Sequence, residues 1–170
     1  MFFAAFTGQK PRIEENYSKA YSIANQMIDS LHSMVGKNQD IATLAQKVDD
    51  LARIEKNGTR AVYIGMENGF PLAKDINRVE EFYKKGVRYI TLCHSYHNDI
   101  CDSSSDAAPP EHNGVSDFGK QVIAEMNRLG IMVDVSHASD KSFFDAVELS
   151  KAPVIASHSS VRAVAKHNET

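Results

Sequence analysis

Short, continuous apolar runs alternate with longer amphipathic segments along the whole of this 170-residue chain. Phe2–Phe6, Ala61–Met66, Tyr89–Cys93, Ile131–Val135 and Val154–Ala156 read as strands. Between the first two, apolar residues recur at three- and four-residue steps (Ile13, Tyr17, Ala20, Ala24, Ile28, Leu31, Val35), the stripe of an amphipathic helix. Further helices are expected at about Ile41–Lys56, at Asp75–Lys85 ending on Gly86, and at Ser116–Leu129 ending on Gly130. Another follows a Ser139 cap, and a last one starts near Ser160. Strands that are apolar on both faces, separated by helices of this length, mean a parallel sheet covered by helices. No Gly-x-Gly-x-x-Gly follows any strand, so a dinucleotide-binding fold lacks its fingerprint. The fold class that remains is α/β: a partial (β/α)8 TIM barrel of about five parallel strands with flanking helices. A complete barrel takes ~250 residues, so residues 1–170 read as one incomplete barrel domain.

Composition narrows the partners. At 42% hydrophobic and 24% charged, the chain is neither disordered nor collagen-like. Nineteen basic against 22 acidic residues, with no Lys/Arg cluster, remove nucleic acid as an expected partner. No apolar run approaches the ~20 residues of a membrane span. Met1–Phe6 has no basic n-region, and the compartment stays unassigned. The two cysteines, Cys93 and Cys101, form no disulfide framework.

The chemistry lies in what ends each strand. The second strand runs into Glu67, the third into His94, the fourth into His137 and the fifth into His158. Parallel barrels gather their strand ends on one rim and place their sites there. A lone histidine at a strand end is ordinarily a capping or surface residue. Four such groups in one layer make a coherent donor set, because neutral imidazole and carboxylate suit zinc.

These residues and their neighbours resemble a family. Met66-Glu67-Asn68-Gly69, Thr91-Leu92-Cys93-His94, Asp134-Val135-Ser136-His137 and Ala156-Ser157-His158-Ser159-Ser160 are similar to the motifs of the renal (membrane) dipeptidase family, zinc metallopeptidase family M19. Phe118-Gly119-Lys120, Glu125–Gly130 and Ser150–Ile155 fit the same pattern, so the resemblance covers nearly the whole chain. It implies a (β/α)8 barrel holding two Zn2+ ions in the complete enzyme, with hydrolysis of dipeptides by a metal-activated hydroxide. Glu67 would bridge the metals, and His137 and His158 would complete the second site. His94 would be catalytic and substrate-binding, stabilising the tetrahedral intermediate.

The departures are specific. The family's first zinc takes a His-x-Asp pair from a first strand, and no such strand precedes Phe2. His97-Asn98-Asp99 spells that pair but follows Glu67, inside the long loop Ser95–Val115, and is read as a coincidence of spelling. A substrate-carboxylate arginine is expected eleven residues past His158, where Glu169 stands. The chain is therefore expected to be an internal fragment, without the first strand and the C-terminal third. It would carry one full zinc site at most and be weakly active or inactive alone. The alternatives are another amidohydrolase-type barrel hydrolase acting on C–N bonds, or an inactive truncated half-barrel. The expected partner is a dipeptide, with a homodimer suggested by the resemblance.

Other residues carry blander readings. Alternation along its strand turns Cys93 away from His94, into the core. His32, His112 and His167 read as solvated. Asp134 is either an orienting group for a histidine or helix end, or a satisfied buried carboxylate. Gly114–Gln121 nearly spells a phosphate loop but ends in Gln and follows no strand.

Overall fold

Strand order follows chain order, which is the arrangement of a barrel wall rather than of a doubly wound sheet, whose order reverses. The computed structural model describes residues 1–161. Its elements are β1 (Phe2–Phe6), α1 (Glu14–Lys37), β2 (Ala42–Leu44), α2 (Val48–Lys56), β3 (Arg60–Glu67), α3 (Asn77–Lys84), β4 (Val87–Thr91), α4 (Asp117–Leu129), β5 (Met132–Asp134) and α5 (Asp140–Leu149). All pairings between these strands are parallel, in the order β1-β3-β4-β5, with β2 paired to the start of β3. The register sets Phe6 beside Glu67 and Thr91 beside Asp134, so the carboxyl ends of the strands share one rim.

Period-two alternation divides β3 between two layers. Ile64 and Met66 join the main core with Ala24 and Ile28 of α1, Val79 and Phe82 of α3, and Val122, Ile123 and Met126 of α4. Each large side chain buried there stabilises by roughly 1.5–3 kcal/mol. Tyr63, Gly65 and Glu67 alternate to the other face. There Phe2 stacks on Tyr63 at 5.3 Å, and the Tyr89 ring occupies the space a side chain at residue 65 would need. Glu67 thus lies on the face opposite the helices.

Two expected elements differ. The helix placed at Ile41–Lys56 begins only at Val48, and Ala42–Leu44 pairs with Arg60–Val62 as a strand. The Asp50 carboxylate explains the late start: it accepts from the N–H groups of Gln46 and Lys47 and so caps the helix there. The strand expected at Val154–Ala156 is reduced to one parallel bridge, Asp134 with Ile155. Ile155 N–H donates to Val133 O and Val135 N–H to Ile155 O, while Pro153 has no N–H to extend the ladder. The expected helix beyond Ser160, and His167, lie outside the described residues.

The α4 start matches its sequence signal. Ser116 Oγ accepts from Gly119 N–H at 2.9 Å and donates to Asp99 O. Gly119 permits the close approach of the long loop: a Cβ there would sit 2.2 Å from Ile100 O and 2.7 Å from Val115 Cγ1. Alanine gains about 1 kcal/mol in helix propensity, but overlap with a backbone carbonyl outweighs it. Gly119→Ala should lower stability by about 2 kcal/mol, read as a shift of the urea midpoint. A stabilised variant would contradict this packing.

Candidate metal centre

Each residue of the rim cluster belongs to a different segment of the parallel sheet, three of them at or just after strand ends and His158 after an isolated bridge. Glu67 is the last residue of β3, and Asn68 behind it turns the chain with φ +79°. The buried Asn68 amide secures that turn, donating to Thr7 O and accepting from Phe70 N–H. His94 follows β4, with its ring 4.9 Å from Phe6 and 4.2 Å from His137 (centroids) and its Nδ1 2.9 Å from Ser95 Oγ. His137 follows β5 in the left-handed region, φ +66°, a conformation costing about 1–3 kcal/mol that recurs at functional sites. His158 follows the Ile155 bridge.

These four side chains converge. Glu67 Oε1 lies 3.3 Å from His158 Nε2, 3.5 Å from His94 Nε2 and 3.7 Å from His137 Nε2. His137 Nε2 and His158 Nε2 are 2.8 Å apart. Glu67, His94 and His137 offer donor atoms that all lie within 4.8 Å of one another. His158 borders the same set and is the most open member, its side chain 42% exposed. One carboxylate among three imidazoles is a donor set that fits a divalent transition metal. Burial, and then the neighbouring His94 and His158, push the His137 pKa below the usual imidazole value. That shift favours the neutral ring, the form a metal requires.

Behind the rim stands Asp134, fully buried. Its oxygens accept from Thr91 Oγ1 (2.6 Å), Ser157 Oγ (2.6 Å), Ser136 Oγ (2.9 Å) and the N–H groups of Ser136 and Ser157. Burial alone would raise this carboxyl, but Ser157, Thr91 and Ser136 outweigh it and hold its pKa below the usual range. Asp134 is thus a satisfied buried carboxylate whose hydrogen bonds reach the segments carrying His137 and His158. Thr91, Ser136 and Ser157 belong to the strand-end motifs, with Ser-His pairs repeated at 136–137 and 157–158, but the role of their hydroxyls is visible only in the structure.

The remaining histidines among the described residues do other work. His97 and Asp99 do not join the cluster. His97 Nδ1 accepts from Ser103 N–H, and Asp99 accepts from Tyr17 and pairs with Arg12 and Lys74. His32 and His112, expected to be solvated, are not. His32 Nε2 is 2.7 Å from Lys85 O, tying α1 to the end of α3, and His112 Nε2 is 2.7 Å from Asn98 O. Both meet backbone carbonyls brought from distant sequence. Cys93 is buried, as its alternation implied.

A family model described as membrane dipeptidase, peptidase family M19, matches residues 1–170. Dipeptidase tcpJ of Claviceps purpurea is 38% identical over 162 residues, covering 92% of this chain and 38% of that protein. Dipeptidase verJ of Clonostachys rogersoniana is 37% identical over 142 residues, covering 84% and 36%. Among solved structures, the probable dipeptidase PvdM from Pseudomonas aeruginosa superposes with a TM-score of 0.83 at 30% identity, over 91% of this chain and 40% of that one. A metallopeptidase from Rhodobacter sphaeroides, liganded with a phosphinate mimic of L-Ala-D-Ala, has a TM-score of 0.83 at 22% identity and shares the fold. The chain thus spans well under half the length of these curated relatives. The parallel sheet with its helices is part of a (β/α)8 barrel, as the strand order implied.

Proposed function

Because the chain belongs to the membrane dipeptidase family of metallopeptidases, peptidase family M19, we propose that its rim cluster holds zinc and serves hydrolysis of the peptide bond of dipeptides. The observation that carries the reading is the approach of three imidazole nitrogens, two from strand ends and one from beyond the Ile155 bridge, to one oxygen of Glu67. Glu67, His137 and His158 are the proposed ligands. A bound zinc ion supplies Lewis acidity and brings the pKa of a water down to about 7.

The protein's own part is orientation and charge. Glu67 is the sole anion among the four and anchors the cation. A neutral His137 sets no positive charge of its own against the cation. His94 is assigned a different role. Its Nδ1 stands 2.9 Å from Ser95 Oγ, and a hydrogen donated there by the hydroxyl would leave the ring hydrogen on Nε2, the atom that faces the cluster. Clasped between Phe6 and the ring of His137, it presents that N–H at a fixed angle to the scissile carbonyl. A preorganised donor of this kind favours the tetrahedral oxyanion over the planar substrate.

The test is hydrolysis of glycyl and D-residue-containing dipeptides by the full-length enzyme. Chelation should abolish turnover and zinc should restore it. His94→Ala should lower kcat about 100-fold and leave zinc affinity nearly unchanged. Loss of zinc in parallel would make His94 a ligand instead. A metal-loaded enzyme that retains Glu67 and cleaves no dipeptide would overturn the reading as a whole.

A further inference from the structure

His158 is held by more than its place in the chain. Ser157 Oγ donates to Asp134 Oδ2 at 2.6 Å and stands 2.7 Å from His158 Nδ1. A carboxylate accepts and cannot return that hydrogen, so Ser157 Oγ has only lone pairs left for the ring. The hydrogen shared by Ser157 and His158 therefore sits on Nδ1. A neutral imidazole protonated there carries its lone pair on Nε2. Nε2 is the atom that faces Glu67 Oε1 at 3.3 Å and His137 Nε2 at 2.8 Å. The second contact is then a hydrogen bond donated by His137. Asp134 also steadies the backbone of His158: Ser136 Oγ donates to Asp134 Oδ1 and accepts from His158 N–H at 3.2 Å.

We propose that Asp134, acting through Ser157, is a positioning residue that sets His158 in the Nδ1–H tautomer and aims its Nε2 lone pair at Glu67 before any metal binds. This rests on the reading of His158 as a ligand. Its value is preorganisation: a free histidine side chain in water favours the opposite tautomer, and an outer partner of a ligating histidine typically contributes 10–100-fold in metal affinity. The anchor is unusually firm because Asp134 joins β4, β5 and the His158 segment through Thr91, Ser136 and Ser157.

Two readouts test it on the 170-residue chain. Two-bond 1H–15N correlations of the metal-free protein at about pH 8, above the usual imidazole range, should show His158 protonated at Nδ1 and bare at Nε2. The His158→Gln spectrum identifies the signal. Ser157→Ala should move the hydrogen to Nε2 and weaken zinc binding about 10- to 100-fold in competition with a chromophoric chelator. Ser157→Thr, which keeps the hydroxyl, should restore both. Ser157 is exposed, so the alanine variant should retain the wild-type circular dichroism. His158 protonated at Nε2 in the unmodified chain, or zinc affinity changed by less than about twofold in Ser157→Ala, would overturn the proposal. Failure of the unmodified chain to bind zinc would overturn the ligand reading instead, and the tautomer signal would still decide the relay.

Discussion

Glu67→Ala should weaken zinc binding by on the order of 10³-fold, about 4 kcal/mol at 1.4 kcal/mol per factor of ten. That loss exceeds the 10–100-fold of an outer partner because Glu67 stands at the centre of the set. One of its oxygens is within 3.3–3.7 Å of three imidazole nitrogens. It is also the only carboxylate among the four, so its loss leaves a dication facing neutral rings alone. Glu67→Gln keeps the size and removes the charge, and should recover little. Isothermal titration of the folded variants reads the effect directly. Affinity within tenfold of the parent would mean that the ion, if bound, sits elsewhere.

The second large effect concerns the segment from Ser95 to Ser116. Length alone suggests a mobile loop, yet a buried carboxylate ties it down. Asp102 accepts from the N–H groups of Glu111 (2.9 Å), His112 (3.2 Å) and Gly114 (2.9 Å), and lies 3.5 Å from His97 Nδ1. Asp102→Asn sets an amide NH2 against those same donors. It should destabilise the chain by about 4 kcal/mol, in the range for breaking a buried charged contact, with faster hydrogen exchange across 95–116. The pH dependence has a definite sign. Burial would raise the Asp102 carboxyl, but the donors from Gly114, Glu111 and His112, with His97, hold it below the usual range. A depressed folded pKa adds stability that is fully present above the unfolded value of about 3.9 and is lost as pH falls through the lower folded value. Urea midpoints of the parent should therefore drop in acid below about pH 4. Asp102→Asn should show less of that drop, and an equal acid slope in both proteins would disprove the assignment.

Much of this was legible in the chain itself, and the failures share one cause. Periodicity exposed α1, α4 and α5, and Ser116, Ser139 and Gly130 marked helix ends where they stand in the structure. The pattern failed at Ala42–Leu44, three residues that become a strand because Arg60–Val62 lies alongside. It failed at Val154–Ala156 because one bridge is all that β5 supports there. His32 and His112 looked solvated because their carbonyl partners, Lys85 and Asn98, are 53 and 14 residues away.

By itself, the amino-acid order determined the parallel α/β class and the strand-end positions of Glu67, His94, His137 and His158. Both follow from local rules: a side-chain period of two or 3.6, and chain breaks at Gly, Pro and Ser. Tertiary structure alone decided that the four groups meet around one carboxylate oxygen, and that Asp134 braces two of their segments. It also decided that Asp102 closes the long loop. The first two outcomes depend on groups many residues apart that the parallel register brings together, and the third on a loop that folds back onto its own buried carboxylate.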